Sequence, residues 1–219
     1  MIPLFHDFTD ETVLIFGGGP VGARKSRRFD AEATVVVVSP AFAEADFGDA
    51  ELVRDRPGPD DVGAWLDRTE PALVVAATDD DAVNEAIVEA AQERSILHND
   101  AARAGGDRDV GSVVVPATVR DDPVVVAIAT GGRAPVLSRH LRRELEPQLA
   151  GAGTMARTLA ELRATLHTTG ISSEGRHEAL ESVVSDPSVW TALRTGEVNP
   201  QDVIEDVLRR TDVEGGELP

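Results

Sequence analysis

In the first half of this chain the apolar residues come in short unbroken runs, not in alternation with polar ones. Residues 12–16, 33–38 and 73–77 are almost wholly apolar or β-branched. Such runs predict strands buried on both faces, as in a parallel sheet. Two shorter runs, 51–54 and 96–98, extend the series, and the second leads into Asn99-Asp100. Between them lie stretches of helical composition: 23–31, 60–68 and the alanine-rich 82–94. Strands that alternate with helices predict an open α/β sheet.

The pattern changes after a polar loop over residues 101–109. Residues 112–119 and 124–129 read as two strands, joined by Arg120-Asp121-Asp122-Pro123. That link is too short for a crossover and predicts a hairpin. Gly131-Gly132 leads into a helix from about Pro135, where Leu137, Leu141, Leu145 and Leu149 form one apolar stripe. The last third reads as helical. Met155, Leu159, Leu162 and Leu166 share a face, with Gly170 as a stop; residues 174–184 form a second helix. Ser188 is placed to cap a third, running through Leu193 to a stop at Gly196, and Asn199-Pro200 opens a fourth with Val203, Ile204, Val207 and Leu208. The expected organisation is a parallel-sheet domain over residues 1–111, a hairpin-and-helix element over 112–150, and a small helical domain over 151–219.

The first buried run stops at Gly17-Gly18-Gly19-Pro20-Val21-Gly22, just before a helix. This is the dinucleotide fingerprint of a Rossmann-type fold. The first glycine permits the tight turn, the second lets backbone approach the pyrophosphate, and the third lets the helix pack on the strand. An acidic residue about 20 positions on would take the ribose hydroxyl of NAD; Ser39 stands there instead, so the choice between NAD and NADP stays open. Thr78 and Asp79, after the third buried run, are candidates to line the nicotinamide cleft, although Asp79, Asp80 and Asp81 also suit the start of a helix. Arg24, Lys25, Arg27 and Arg28 are expected to be solvated or ion-paired.

Charge changes the picture of the environment. Asp and Glu number 39 against 21 Lys and Arg, a net −18, and Lys25 is the one lysine. An acidic, lysine-poor surface predicts a halophilic setting, because at about 1 M salt the Debye length falls to about 3 Å and self-repulsion is screened. No basic stripe exists to neutralise phosphates, so nucleic acid is not an expected partner. The absence of cysteine excludes disulfides, thiolate-held zinc and thiol nucleophiles. No apolar run reaches the roughly 18 residues of a membrane helix, and Met1-Ile2-Pro3-Leu4-Phe5 does not read as a signal peptide. A cytoplasmic protein away from membranes is expected.

The glycine loop continues into Arg24-Lys25. Then come Ala77-Thr78-Asp79-Asp80 with Asn84, Asn99, Pro116, and the segment from Thr130-Gly131-Gly132-Arg133 through Ala134-Pro135-Val136-Leu137-Ser138-Arg139. In this order the segments resemble the N-terminal pattern of the siroheme-synthase family, the precorrin-2 dehydrogenases and sirohydrochlorin ferrochelatases. The resemblance covers residues 1–150; the helical remainder is similar in layout only. It implies an oxidoreductase of siroheme (porphyrin) biosynthesis that uses NAD to convert precorrin-2 to sirohydrochlorin. In some members a lyase activity follows, with ferrous iron as substrate. It also implies a homodimer, for which the hairpin and its following helix are the expected dimerisation element. No resident metal is implied.

The tetrapyrrole substrate so implied is a polycarboxylate. The Gly131-Gly132 turn before Pro135 offers backbone N–H groups to an anion, and Arg133 lies in the turn. Arg139 and Arg143 are four apart on one helix, a mildly repulsive spacing unless an anion joins them; Arg142 is placed to pair with Glu146. These residues and Asn99 are the substrate-binding candidates. The resemblance puts an aspartate three residues after Asn99, where this chain has Ala102. The chemistry needs a proton acceptor. Asp100 is the first candidate because it is nearest the strand end, and His98 is the second; Asp107 and Asp109 are alternatives from a shifted position. Three other readings stay open: a dehydrogenase without chelatase activity, a nucleotide-sensing regulatory module without catalysis, and a dehydrogenase of small hydroxy acids.

Overall fold

The structure is a computed structural model and describes residues 3–101 and 111–210. Its first compact unit comprises Met1–Val115 with Gly131–Arg133, and its second comprises Pro116–Thr130 with Ala134–Pro219.

The first unit is built on β1 (Thr12–Phe16), β2 (Thr34–Ser39), β3 (Glu51–Arg54), β4 (Leu73–Ala76) and β5 (Leu97–Asp100). All pairings are parallel, in the order β3-β2-β1-β4-β5. The chain runs outward from β1 through β2 to β3, then returns to the other side of β1 for β4 and β5. The reversal between β1 and β4 is the topological switch point, where open α/β sheets bind ligands beyond the strand ends. Helix α1 (Pro20–Phe29) follows β1; α2 (Val62–Thr69) and α3 (Asp81–Glu93) flank β4.

Alternate strand residues feed two cores, which is why the strands read as unbroken apolar runs. Leu14, Phe16, Val36, Val38, Val74 and Ala76 pack with Trp65 and Leu66 of α2 and Ile87 and Ala91 of α3. Val13, Ile15, Val35, Val37, Leu73 and Val75 pack with Ala23 of α1 and with Phe47. Val13 to Phe16 are completely buried, each contributing roughly 1.5–3 kcal/mol through removal of its side chain from water.

Three boundaries near the site differ from the sequence reading. Asn99 and Asp100 are the last residues of β5 and not its outgoing loop, since Asn99 pairs with Val75 and Asp100 with Ala76. Residues 112–116 form no strand; an isolated bridge joins His98 and Ser112. Helix α1 starts at Pro20, inside the glycine motif.

The second unit begins with the hairpin β6 (Ala117–Asp121) and β7 (Val124–Ile128), antiparallel with Val119 opposite Val126. Helix α4 (Pro135–Leu145) follows, then α5 (Ala152–His167), α6 (Ser173–Ser185), α7 (Pro187–Thr195) and α8 (Pro200–Arg210). Met155, Leu166, Ile171, Ala179, Val183, Val189, Ile204 and Leu208 form the core of the last four helices. Gly153 sets α5 against the hairpin turn: a Cβ there would lie 2.3 Å from the carbonyl oxygens of both Asp121 and Asp122. The cap of α7 is Asp186, whose Oδ1 accepts the Ser188 N–H at 2.8 Å, while Ser188 is already inside the helix. Pro187 takes the first helical position, so the capping role falls one residue before it.

The leucine stripe of α4 is not a core face. The helix ends at Leu145, before Leu149. Val136, Leu137 and Leu141 are 75%, 47% and 38% exposed, and the one buried α4 residue is Ser138. Its Oγ lies 3.1 Å from Thr130 Oγ1.

Candidate active site

Strand β1 ends at Phe16, and the chain turns over Gly17 at φ +118°, a conformation that favours glycine. The turn presses the chain onto the end of β4: a Cβ on Gly17 would lie 2.2 Å from the Ala77 carbonyl oxygen. A Cβ on Gly22 would lie 1.9 Å from the carbonyl oxygen of Gly17, so the first turn of α1 closes on the loop as tightly. Gly18 packs beneath residues 39–43, and its carbonyl accepts the Ala43 N–H at 2.7 Å. Gly19 differs, since a Cβ there meets nothing within 4 Å.

That open space lies at the start of α1. The helix has Gly19 as its N-cap residue, no side-chain cap and no acidic residue in its first turn. By contrast, Asp80, Ser172 and Asp186 cap α3, α6 and α7 with side-chain oxygens. The N–H groups of Val21 and Gly22 cannot be satisfied within the helix. Together with the positive end of the helix dipole they face the space beside Gly19, an arrangement suited to a pyrophosphate.

The neighbouring strand ends complete the edge. Ser39 is buried and its hydroxyl donates to the Ala41 carbonyl at 2.7 Å, which shapes the segment under Gly18. Thr78 is held by Asn84, whose Oδ1 accepts from the Thr78 hydroxyl at 2.8 Å and whose Nδ2 donates to the Thr78 carbonyl at 3.1 Å. Asp80 caps α3, and Asp79 is exposed beside it. The Thr-Asp-Asp segment with Asn84 thus fixes the chain that abuts Gly17.

Asp100 stands at the end of β5 opposite Ala76, partly exposed, and the Ala101 N–H continues the ladder to the Ala76 carbonyl at 2.8 Å. His98 is only 2% exposed, and its Nδ1 has no hydrogen-bond partner among the described residues. Asn99 is also buried and engaged at both ends. Its Oδ1 accepts from Lys25 Nζ at 2.8 Å, and its Nδ2 donates to the Val113 carbonyl at 2.8 Å. Ala102, Asp107 and Asp109 lie outside the described residues.

Lys25, expected to be solvated or ion-paired, is instead partly buried and hydrogen-bonded to the neutral Asn99 amide. Burial first, then the positive charges of Arg28 and Arg24, lower its pKa from 10.5 to about 8. The available sequence signal was compositional: a chain that uses arginine everywhere else keeps a single lysine here.

Gly131 and Gly132 take φ +64° and +78° in the turn that carries the exposed Arg133. On α4, Arg139 and Arg143 are exposed and form no ion pair among the described residues. Arg142 pairs with Glu146 at 2.8 Å, as its spacing predicted.

An open parallel sheet with an uncapped, glycine-lined helix entrance at its switch point defines a Rossmann-class dinucleotide-binding protein. Residues 4–117 match the family described as putative NAD(P)-binding, and the chain belongs to that family. It is 32% identical to a siroheme synthase of Tolumonas auensis over 99% of this chain and 46% of that protein. It is 35% identical to that of Methylococcus capsulatus over 88% of this chain and 40% of the relative. The chain therefore spans less than half the length of these curated relatives. The solved structure of SirC, a precorrin-2 dehydrogenase, shares the fold with a TM-score of 0.65 at 22% identity, covering 95% of this chain and 100% of that one.

Two outcomes follow from the loop and from Lys25. Gly19→Val leaves the fold intact but weakens NADH binding at least about tenfold, because the side chain occupies the phosphate's approach; Gly22→Ala collides with Gly17 and lowers thermal stability instead. NADH fluorescence titration beside thermal melts separates the two. For Lys25, the folded pKa of about 8 lies below the ordinary 10.5, so between these values the unfolded chain holds more protons and stability rises with pH. Wild type therefore gains on Lys25→Met across that window, by up to about 3 kcal/mol, as read by urea unfolding at a series of pH values.

Proposed function

We propose that this protein oxidises precorrin-2 to sirohydrochlorin in siroheme biosynthesis, with NAD as the hydride acceptor. The observation that carries the reading is the glycine loop: an open approach at Gly19, an uncapped α1, and Asp100 on the same sheet edge. The names of the relatives, siroheme synthase and precorrin-2 dehydrogenase, supply the substrate. When bound, NAD supplies a nicotinamide ring that accepts hydride. Gly17 to Gly22 hold its pyrophosphate, Ser39 borders its adenosine end, and Thr78 and Asp79 border its nicotinamide.

Loss of a hydride from precorrin-2 leaves a proton to be removed. Asp100 accepts it, being a partly exposed carboxylate at the strand end. His98 is the second candidate and the less accessible, since it is buried. Gly131, Gly132, Arg133, Arg139 and Arg143 hold substrate carboxylates through backbone N–H groups and guanidinium forks. Ferrous iron is a candidate second substrate: its insertion releases two pyrrole protons, which the same partly exposed carboxylate takes one at a time and passes to solvent. Ala102, where the resemblance puts an aspartate, favours as the second reading a dehydrogenase without that step.

The protein works as a homodimer in this reading. Val136, Leu137 and Leu141 on α4 are a large apolar exposure that a second copy covers. In this reading the reaction runs in the cytoplasm. No helix among the described residues is long and apolar enough to cross a membrane.

An anaerobic assay in molar salt with precorrin-2 and NAD reads sirohydrochlorin absorbance directly. Asp100→Asn lowers kcat by about 10²- to 10⁴-fold and leaves NADH affinity unchanged; undiminished turnover removes Asp100 from the role. Leu141→Glu shifts the sedimentation of wild-type dimer toward monomer, whereas identical sedimentation of the two proteins rules α4 out as the dimer contact.

A further inference from the structure

Acidic residues outnumber basic ones 39 to 21 in this chain, yet Arg24, Lys25, Arg27 and Arg28 crowd one stretch of α1. With Val115 they line a depression of about 300 Å³. Arg24, Arg27 and Arg28 are exposed, and Arg27 meets Asp46 only loosely, at 3.8 Å. Lys25 sits deeper. Its one hydrogen bond among the described residues goes to a neutral amide oxygen, Asn99 Oδ1, at 2.8 Å. An ammonium carries three donors, so two remain without a protein acceptor among the described residues. Burying a cation that meets no counter-charge among the described residues is costly, and like charges at helical spacing add to the cost. An anion in the depression relieves both.

The position of Lys25 separates this feature from the phosphate site. Lys25 lies five residues beyond Pro20, about 7.5 Å down the helix at 1.5 Å per residue. Its amine turns to β5, to the residue next to Asp100, and not to the glycine loop. An anion here therefore belongs to the substrate side. A lysine also suits the place: one N–H is spent on Asn99, and the other two remain for an oxygen anion, which a planar guanidinium divides less readily.

We propose that this groove is a carboxylate subsite, in which Lys25 and Arg24 take one acidic side chain of the tetrapyrrole and so set the macrocycle against the end of β5. The inference rests on the tetrapyrrole reading above. Lys25 acts as a positioning residue, aligning the substrate without touching the reacting carbon.

The test uses uroporphyrin, a stable polycarboxylate porphyrin, as the binding probe, with NADH titrated in parallel and precorrin-2 turnover measured on the same proteins. Lys25→Met is expected to weaken uroporphyrin binding at least about tenfold and to raise KM for precorrin-2 similarly, with kcat within about threefold and NADH affinity unchanged. Lys25→Arg recovers part of the loss. Arg24→Gln, at an exposed position that folding does not depend on, gives a smaller loss of about threefold in the same two quantities. Unchanged uroporphyrin binding in both Lys25→Met and Arg24→Gln, with precorrin-2 still oxidised, overturns the subsite and leaves the dehydrogenase reading standing. NADH affinity that falls in step with uroporphyrin binding overturns it too, assigning the cations to the cofactor. A wild-type protein that binds NADH but neither binds uroporphyrin nor oxidises precorrin-2 removes the tetrapyrrole reading and the subsite together.

Discussion

The fold turns on a near-contact between backbones at the switch point of the sheet. Gly17 lies against the Ala77 carbonyl, and Gly22 lies against Gly17, each closer than any Cβ allows. These approaches bring the end of β1, the end of β4 and the first turn of α1 to one place. They are possible because β1 is sealed between two apolar layers, which leaves its strand no freedom to shift. The same approaches leave Gly19 facing open space and α1 without a cap. An entrance for phosphate is thus the remainder when backbone packing is pushed to its limit at three glycines and relaxed at a fourth.

Much of this was legible because it is local. Unbroken apolar runs give strands buried on both faces, and a glycine cluster between strand and helix gives the loop. What sequence could not give depends on which segments meet. Lys25 reads as a solvated helix residue until β5 is brought alongside and Asn99 accepts its proton donor. Asn99 reads as a loop residue until Val75 of β4 pairs with it. The leucines of α4 have the period of a core face, but periodicity says only that a face is apolar, not that this chain covers it. Ser188 and Asp186 both carry capping chemistry, and the choice fell to Asp186 because Pro187 fixes where the helix starts.

The two units use polar side chains differently. In the helical unit they mostly finish helices and span single turns, as with Asp186 on Ser188 and Arg142 on Glu146. At the sheet edge they join separate elements: Asn84 ties helix α3 back to Thr78 after β4, and Asn99 joins β5 to Lys25, 74 residues away, and to Val113. Neutral amides carry these junctions. An amide donates and accepts at once without bringing a charge into a buried place, so it links two elements at small electrostatic cost.

The Asn99 amide also works as a clasp. On the outer flank of β5 the His98 N–H reaches the Gly111 carbonyl at 3.3 Å and the Val113 N–H reaches the His98 carbonyl at 2.8 Å. The Asn99 side chain closes the same flank onto Val113. Strand β5 is therefore gripped from both sides: its ladder to β4 fixes Asn99 and Asp100 from within the sheet, while residues 111–113 fix His98 and Asn99 from without. The outermost strand of the sheet thus has a partner on its outer flank, so the amide that meets Lys25 is held in register from two directions.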